Sequence, residues 1–229
     1  MKNYNIYPYR SDLVDNNNSY KTIFFNNLNN KDKIKNELKD ALFLFFKGMN
    51  ITKKDHIFII GLGNDNHTAD SIGPKTLKHI QVNSYLENIG IKINGNKVSA
   101  LEPGVLGETG ILTEKIISSV ANEIKPNLII LIDSFVSDDI KYLNKSIQIN
   151  NIGLNPGSGL KGISSRIDKE TFGIPIIVIG VTTAIEVKFT NEENINYIPY
   201  LLSPKDVDEY VNNISIIIGN SINEAINSL

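Results

Sequence analysis

The strongest constraint on the fold is a pair of short, almost uninterrupted apolar runs, HIFIIGLG at His56–Gly63 and NLIILID at Asn127–Asp133. A strand with one wet face alternates apolar and polar residues. Runs this continuous and rich in β-branched residues predict strands buried on both faces. Helices must then cover the sheet above and below. Asp32–Met49 supplies one, with Ile34, Leu38, Leu42 and Phe45 at helical spacing and Gly48 as a stop. Further helices are expected from about Pro74 to Leu86, from Thr109 to Lys125 before Pro126, and from Ser203-Pro204-Lys205-Asp206 to about Asn227, with Ser203 as N-cap. Further strands are expected at Lys97–Pro103, Lys145–Asn150 and Pro175–Gly180. The alternation predicts an α/β domain with a largely parallel sheet, helices on both faces and short βα loops. Residues 1–30 are polar, Asn-rich and aperiodic apart from Phe24 and Phe25, and read as a loosely ordered arm, leaving 31–229 as a single domain.

Composition narrows the function. A formal charge of −2 provides no net field toward nucleic acid or an anionic membrane. The chain has no Cys, which excludes disulfides, thiolate nucleophiles and Cys-based zinc sites, and its three His leave little for a His-rich metal cluster. MKNYNIYPYRSDLVDNNN has no basic segment leading into an apolar one, so it does not read as a signal peptide. The apolar stretch Ile174–Val181, interrupted by Pro175 and Gly180, is far short of the roughly 20 residues that span a bilayer. An intracellular soluble protein is expected.

In parallel sheets ligands bind beyond the carboxyl ends of the strands, so the loops after the two apolar runs are where chemistry is sought. The first loop, Gly61–Pro74, has glycines at 61 and 63 but Asn66 where a dinucleotide fingerprint needs a third, and the phosphate-binding G-x-x-x-x-G-K-[ST] occurs nowhere. Asp70 lies near the start of the next helix, either as a cap or as a functional carboxylate. Asp133 ends the second run, where a carboxylate is costly to desolvate unless paired, coordinated or hydrogen-bonded. If the two converge they share a proton, one serving as general base on a water and the other as general acid, as peptide hydrolysis without a covalent intermediate requires. Both read Asp-Ser followed by an apolar residue, unlike the Asp-Thr/Ser-Gly of pepsin-like proteases. A second glycine-rich loop, Glu102–Gly110, could present backbone N–H groups to a carbonyl or oxyanion, or simply turn. Ser158, in NPGSG, lacks the G-x-S-x-G elbow of a nucleophile. His67 could join Asp70 and Asp133 as a metal ligand or merely hydrogen-bond, and His56 and His79 read as structural or exposed.

At these loops the chain closely resembles the germination protease family, endopeptidases that degrade small acid-soluble spore proteins. The segments that carry the resemblance are IIGLGNDNHTADSIGP, VSALEPGVLGETGI, NLIILIDSF, IQINNIGLNPGSG, DKETFGIPIIVIGV and LLSPKDVDEYVNNISIIIGNSINEAI, in the same order through most of Ile59–Ile226. The resemblance implies a phosphorylase/hydrolase-like three-layer α/β fold with a mostly parallel, mixed central sheet. It implies an atypical aspartic mechanism, with Asp70 and Asp133 as the catalytic pair. Gly63, Asn64, His67, Ser71, Glu102, Gly104 and Ser134 would bind substrate or support the pair. It further implies no cofactor and no metal, spore proteins as substrates, a homo-oligomer, no direct contact with nucleic acid or membrane, and residence in the spore core cytoplasm. Two other readings accompany it. One is a metal-assisted peptidase using His67, Asp70 and Asp133, similar to hydrogenase maturation peptidases; the other is a shortened paralogue that binds spore proteins without cutting.

Family members are longer, and the shortfall falls between GVTTAIEVKF and LLSPKDVDEY, where TNEENINYIPY reads as a short connection. Glu186 stands where Asp is usual, and Ala69 where Pro is usual. The family is made as a zymogen, and Arg10-Ser11-Asp12-Leu13-Val14-Asp15 matches its trimming region in part. A chain beginning near Asp15 should therefore keep the urea midpoint of the whole chain, since the removed arm buries little, and should cleave spore protein faster. Equal rates would remove the zymogen reading, and a lowered midpoint would show that the arm belongs to the fold.

Overall fold

The structure, a computed structural model, describes residues 19–156, 166–191 and 194–229. Arg10–Asp15 and the Gly157-Ser158-Gly159 segment lie outside the described residues. The strands are β1 (Tyr20–Phe24), β2 (His56–Gly61), β3 (Lys97–Leu101), β4 (Leu128–Ser137), β5 (Ser146–Asn150), β6 (Ile176–Asn191) and β7 (Asn194–Leu202). The helices are α1 (Lys31–Gly48), α2 (Ile72–Leu77), α3 (Leu106–Thr109), α4 (Thr113–Ile124), α5 (Lys169–Phe172) and α6 (Val207–Asn227).

Among the described residues the seven strands form one sheet in the order β1-β5-β6-β4-β2-β3, with β7 on the far part of β6. β3, β2, β4 and β6 are parallel neighbours, whereas β5, β1 and β7 add in antiparallel fashion. Successive residues of the central strands point to opposite faces, and both faces are apolar. Ile57, Ile59, Ile130 and Ile177 pack under α1 and α6, while Phe58, Ile60, Leu131 and Val178 pack under Ile117 and Ala121 of α4. Each such Ile, Leu or Phe contributes about 1.5–3 kcal/mol on burial. The expected three-layer α/β fold with a mixed, mostly parallel sheet is what the chain forms.

Five local expectations are corrected. Part of the supposed arm, Tyr20–Phe24, is an edge strand that buries Ile23 and whose Tyr20 hydroxyl donates to Gln148 Oε1 at 3.1 Å. Five residues are too few for a periodic signal, and this strand exists because the edge of β5 is there to receive it. The helix expected to reach Leu86 stops at Leu77, because Asn223 of α6 donates to the His79 carbonyl at 2.8 Å and accepts from Gln81 N at 3.0 Å, holding the chain out of the next turn. The helix expected from Thr109 is broken by Gly110, in the left-handed region at φ +68°, and resumes as α4. α6 begins at Val207 after Asp206, not at Pro204 after Ser203. Finally, the strand expected to end at Gly180 runs to Asn191, and much of the supposed connection TNEENINYIPY pairs back on it as β7.

The start of α2 rests directly on the end of β2. A Cβ on Gly61 would lie 2.5 Å from the Gly73 carbonyl oxygen, and one on Gly73 would lie 2.2 Å from that of Leu62. Backbone cannot give way as a flexible side chain can, so Gly73→Ala should lower stability by at least about 2 kcal/mol. Urea denaturation would show this as a reduced midpoint with an unchanged slope.

Candidate active site

β2 leaves toward β3 through α2 on the α1/α6 face, whereas β4 leaves toward β5 and β6 on its other side. The crevice between the carboxyl ends of β2 and β4 is therefore the topological switch point, where open α/β sheets place their ligands. Asp70 arrives there from the loop after β2, and Asp133 lies in β4 one residue beyond the last β2 pairing, Gly61 with Ile132.

The loop that carries Asp70 is closed by its own backbone. Gly63 adopts φ +108°, and a Cβ there would sit 1.9 Å from the Asp70 carbonyl oxygen, so only glycine fits. That carbonyl accepts from Asn64 N at 3.0 Å, and Asp70 N donates to the His67 carbonyl at 2.7 Å. Asn64 Oδ1 accepts from Asn66 N at 2.8 Å, and the buried Ser71 hydroxyl donates to the Thr68 carbonyl at 2.8 Å. Asp70 thus ends a 3₁₀ turn, Thr68–Asp70, and Ser71 rather than Asp70 precedes α2. Two ties fix this loop to the sheet: the Thr183 hydroxyl donates to the Ala69 carbonyl, and Ile72 N donates to Ser134 Oγ at 3.3 Å.

Asp133 stands opposite Gly180 of β6. The Phe135 ring lies over Gly180, 1.9 Å from where a Cβ would be, so any side chain there would have to displace the ring. Asp133 Oδ1 accepts from Ser134 N at 2.8 Å. Burial, followed by the charge of Asp70, pushes the Asp133 carboxyl up to about 8 against the stabilising Ser134 N–H. Burial likewise pushes Asp70 up to about 6, with Glu108 adding to the rise and His67 and the Asn64 N–H opposing it. Both carboxyls are thus held above the ordinary range, Asp133 further than Asp70, and as a coupled pair they retain a proton near neutral pH.

The structure thus brings Asp70, Asp133, Gly63, Asn64, Ser71 and Ser134 into one assembly, with His67 exposed on the same loop. Glu102 is exposed after β3, and Gly104 holds its own loop, at φ +70° with its carbonyl accepting from Thr113 Oγ1 at 3.3 Å. Two contributors act through tertiary links that local sequence does not show. Glu108 accepts from Asn66 Nδ2 at 3.3 Å, linking the two glycine-rich loops. Thr183 is the extra residue of a bulge, because β4 and β6 pair Phe135 with Thr182 but Val136 with Ala184. His56 is structural, with its ring nitrogens at 2.8 Å from Ser99 Oγ and 3.3 Å from the Ile124 carbonyl. Among the described residues no three His, Cys, Asp or Glu side chains are grouped so as to hold a metal ion, so His67 does not complete a ligand set with the two aspartates. No helix among them is long and apolar enough to cross a membrane.

The sequence profile of the germination protease family matches residues 15–202. Curated relatives bearing that name include one from Caldanaerobacter subterraneus subsp. tengcongensis, 37% identical over 164 residues covering 70% of this chain and 51% of the relative. Another, from Oceanobacillus iheyensis, is 33% identical over 192 residues covering 79% and 51%. A third, from a Geobacillus species, is 35% identical over 157 residues covering 67% and 42%. The chain spans about half the length of the curated relatives it matches.

The raised carboxyls set a pH dependence of stability. A folded pKa above the unfolded value favours folding below the unfolded pKa, near 3.8, and that contribution is lost as pH rises to about 8. Asp133→Asn removes the loss. It should be more stable than the parent by more than about 2 kcal/mol at pH 8 and nearly equal to it at pH 4. Urea unfolding of both proteins at the two pH values checks this; a difference independent of pH would mean that Asp133 ionises normally.

Proposed function

From the premise that this chain belongs to the germination protease family, we propose that it is an endopeptidase of spore germination that cleaves small acid-soluble spore proteins by an aspartic mechanism. The observation that carries this reading is the coupled pair, Asp70 and Asp133, at the switch point of the sheet, with one carboxyl raised to about 6 and the other to about 8.

Asp70, ionised above about pH 6, removes a proton from water as it attacks the peptide carbonyl carbon. Asp133, still protonated below about pH 8, gives its proton to the carbonyl oxygen as the C=O π bond opens. In the tetrahedral intermediate the roles reverse. Asp133 takes back a hydroxyl proton, the C–N bond breaks, and Asp70 delivers its proton to the leaving nitrogen, which restores the starting state. The Ser134 N–H on Asp133 Oδ1 and the closed Asp70 loop keep both groups oriented through this cycle. The substrates, largely disordered when free of DNA, can enter such a crevice as extended segments. Family membership further suggests a homo-oligomer acting in the spore core.

A chelator separates the paired carboxylates from a metal-assisted reaction: an unchanged rate would agree with the former, and a lost one with the latter. With a purified small acid-soluble spore protein as substrate, Asp133→Asn and Asp70→Asn should each reduce cleavage about a thousandfold while retaining the native circular dichroism. The rate should rise as Asp70 ionises near pH 6 and fall as Asp133 ionises near pH 8. Near-normal turnover by either variant removes that residue from the mechanism. Binding without cleavage by the parent chain would favour the paralogue that only binds.

A further inference from the structure

β4 is longer than the strand beside it. Its pairing with β2 ends at Ile132, whose carbonyl accepts from Leu62 N at 2.8 Å, whereas its pairing with β6 continues through Ser137. From Asp133 to Ser137 the β2 side of β4 is therefore an open edge among the described residues. Backbone groups of alternate residues face alternate sides of a strand, so Ser134 and Val136, in phase with Ile132, face the open side. The bulge does not disturb this phase, because its extra residue, Thr183, lies in β6. Ser134 N–H is already taken by the Asp133 carboxylate, which shows that this carboxylate turns to the open edge. The Ser134 carbonyl and the Val136 N–H and carbonyl have no backbone partner there among the described residues. The Val136 side chain is 39% exposed.

We propose that the open edge of β4 at Ser134–Val136 is the binding site for an extended polypeptide segment, which adds to the sheet as a strand and so lays its backbone across Asp70 and Asp133. The proposal rests on the protease reading above and names how its substrate is held. The outer edges of β1, β3 and β7 are each separated from β4 by at least one intervening strand, whereas this edge begins at Asp133 itself. An extended polypeptide is the ligand class that presents alternating donors and acceptors at the spacing of a strand, about 3.3 Å per residue. Main-chain pairing of this kind supplies affinity with little demand on side-chain identity, and Val136 and the half-buried Phe135 would read alternate residues on the two faces.

The test uses the full chain carrying Asp133→Asn, with two probes: a small acid-soluble spore protein and reduced, carboxymethylated casein. Residue-resolved hydrogen exchange at saturating probe should slow the Val136 amide at least about tenfold, while Phe135 and Ser137, whose amides face β6, keep their rates. Val136→Pro, which deletes an N–H that has no backbone partner among the described residues while the residue stays beside Ala184 of β6, should weaken binding at least about tenfold with little change in melting temperature. Protection with casein but not the spore protein would support the edge and reject that substrate. Binding of either probe with an unchanged Val136 rate, unaltered affinity in Val136→Pro, or no binding of either probe would overturn the proposal. Cleavage by the parent chain, measured separately, decides the protease reading.

Discussion

Everything at the crevice depends on the parallel register of β2 against β4, from Ile57 opposite Leu128 to Gly61 opposite Ile132. Hydrophobicity does not choose this register, because both strands are apolar on both faces and a slip of one residue would still bury isoleucine everywhere. The polar ends choose it. A slip that drew Asp133 down between the helices would bury its carboxyl more deeply among apolar side chains, and desolvating a polar group without a new partner is costly. The tight seat of Gly73 over the Leu62 backbone fixes where α2 starts against the end of β2, and so where the loop carrying Asp70 must close.

The site is bought against this scaffold. Two carboxyls held close together and partly buried oppose folding at neutral pH, and the apolar layers on either face of the sheet offset that cost. The same burial separates the two acidities, which is what two carboxylates need in order to take different parts in a proton exchange.

What could be read from the sequence, and what could not, divides along the same lines. β2 and β4 announce themselves because burial on both faces leaves an unbroken apolar run, and Asp70 and Asp133 stand out because polarity returns where each run ends. β1 and β7 do not, since each exists only as a partner to a strand far away or across a turn, and local composition says nothing of the partner. Thr183 is illegible for a related reason: a bulge is a mismatch between two strands, and neither strand alone contains it. Glu108 is visible as a loop acid, but its link to Asn66 depends on two βα loops meeting above β2 and β3.

The C-terminal helix has a temporal consequence for the crevice. Asn223 of α6 hydrogen-bonds both the His79 carbonyl and Gln81 N, Ser215 Oγ reaches the Ile72 carbonyl at 3.5 Å, and α6 packs against the turn that ends in Asp70. Both aspartates are therefore synthesised long before the helix that braces one of them. The order of the chain thus leaves the brace on Asp70 complete only once α6 has been made.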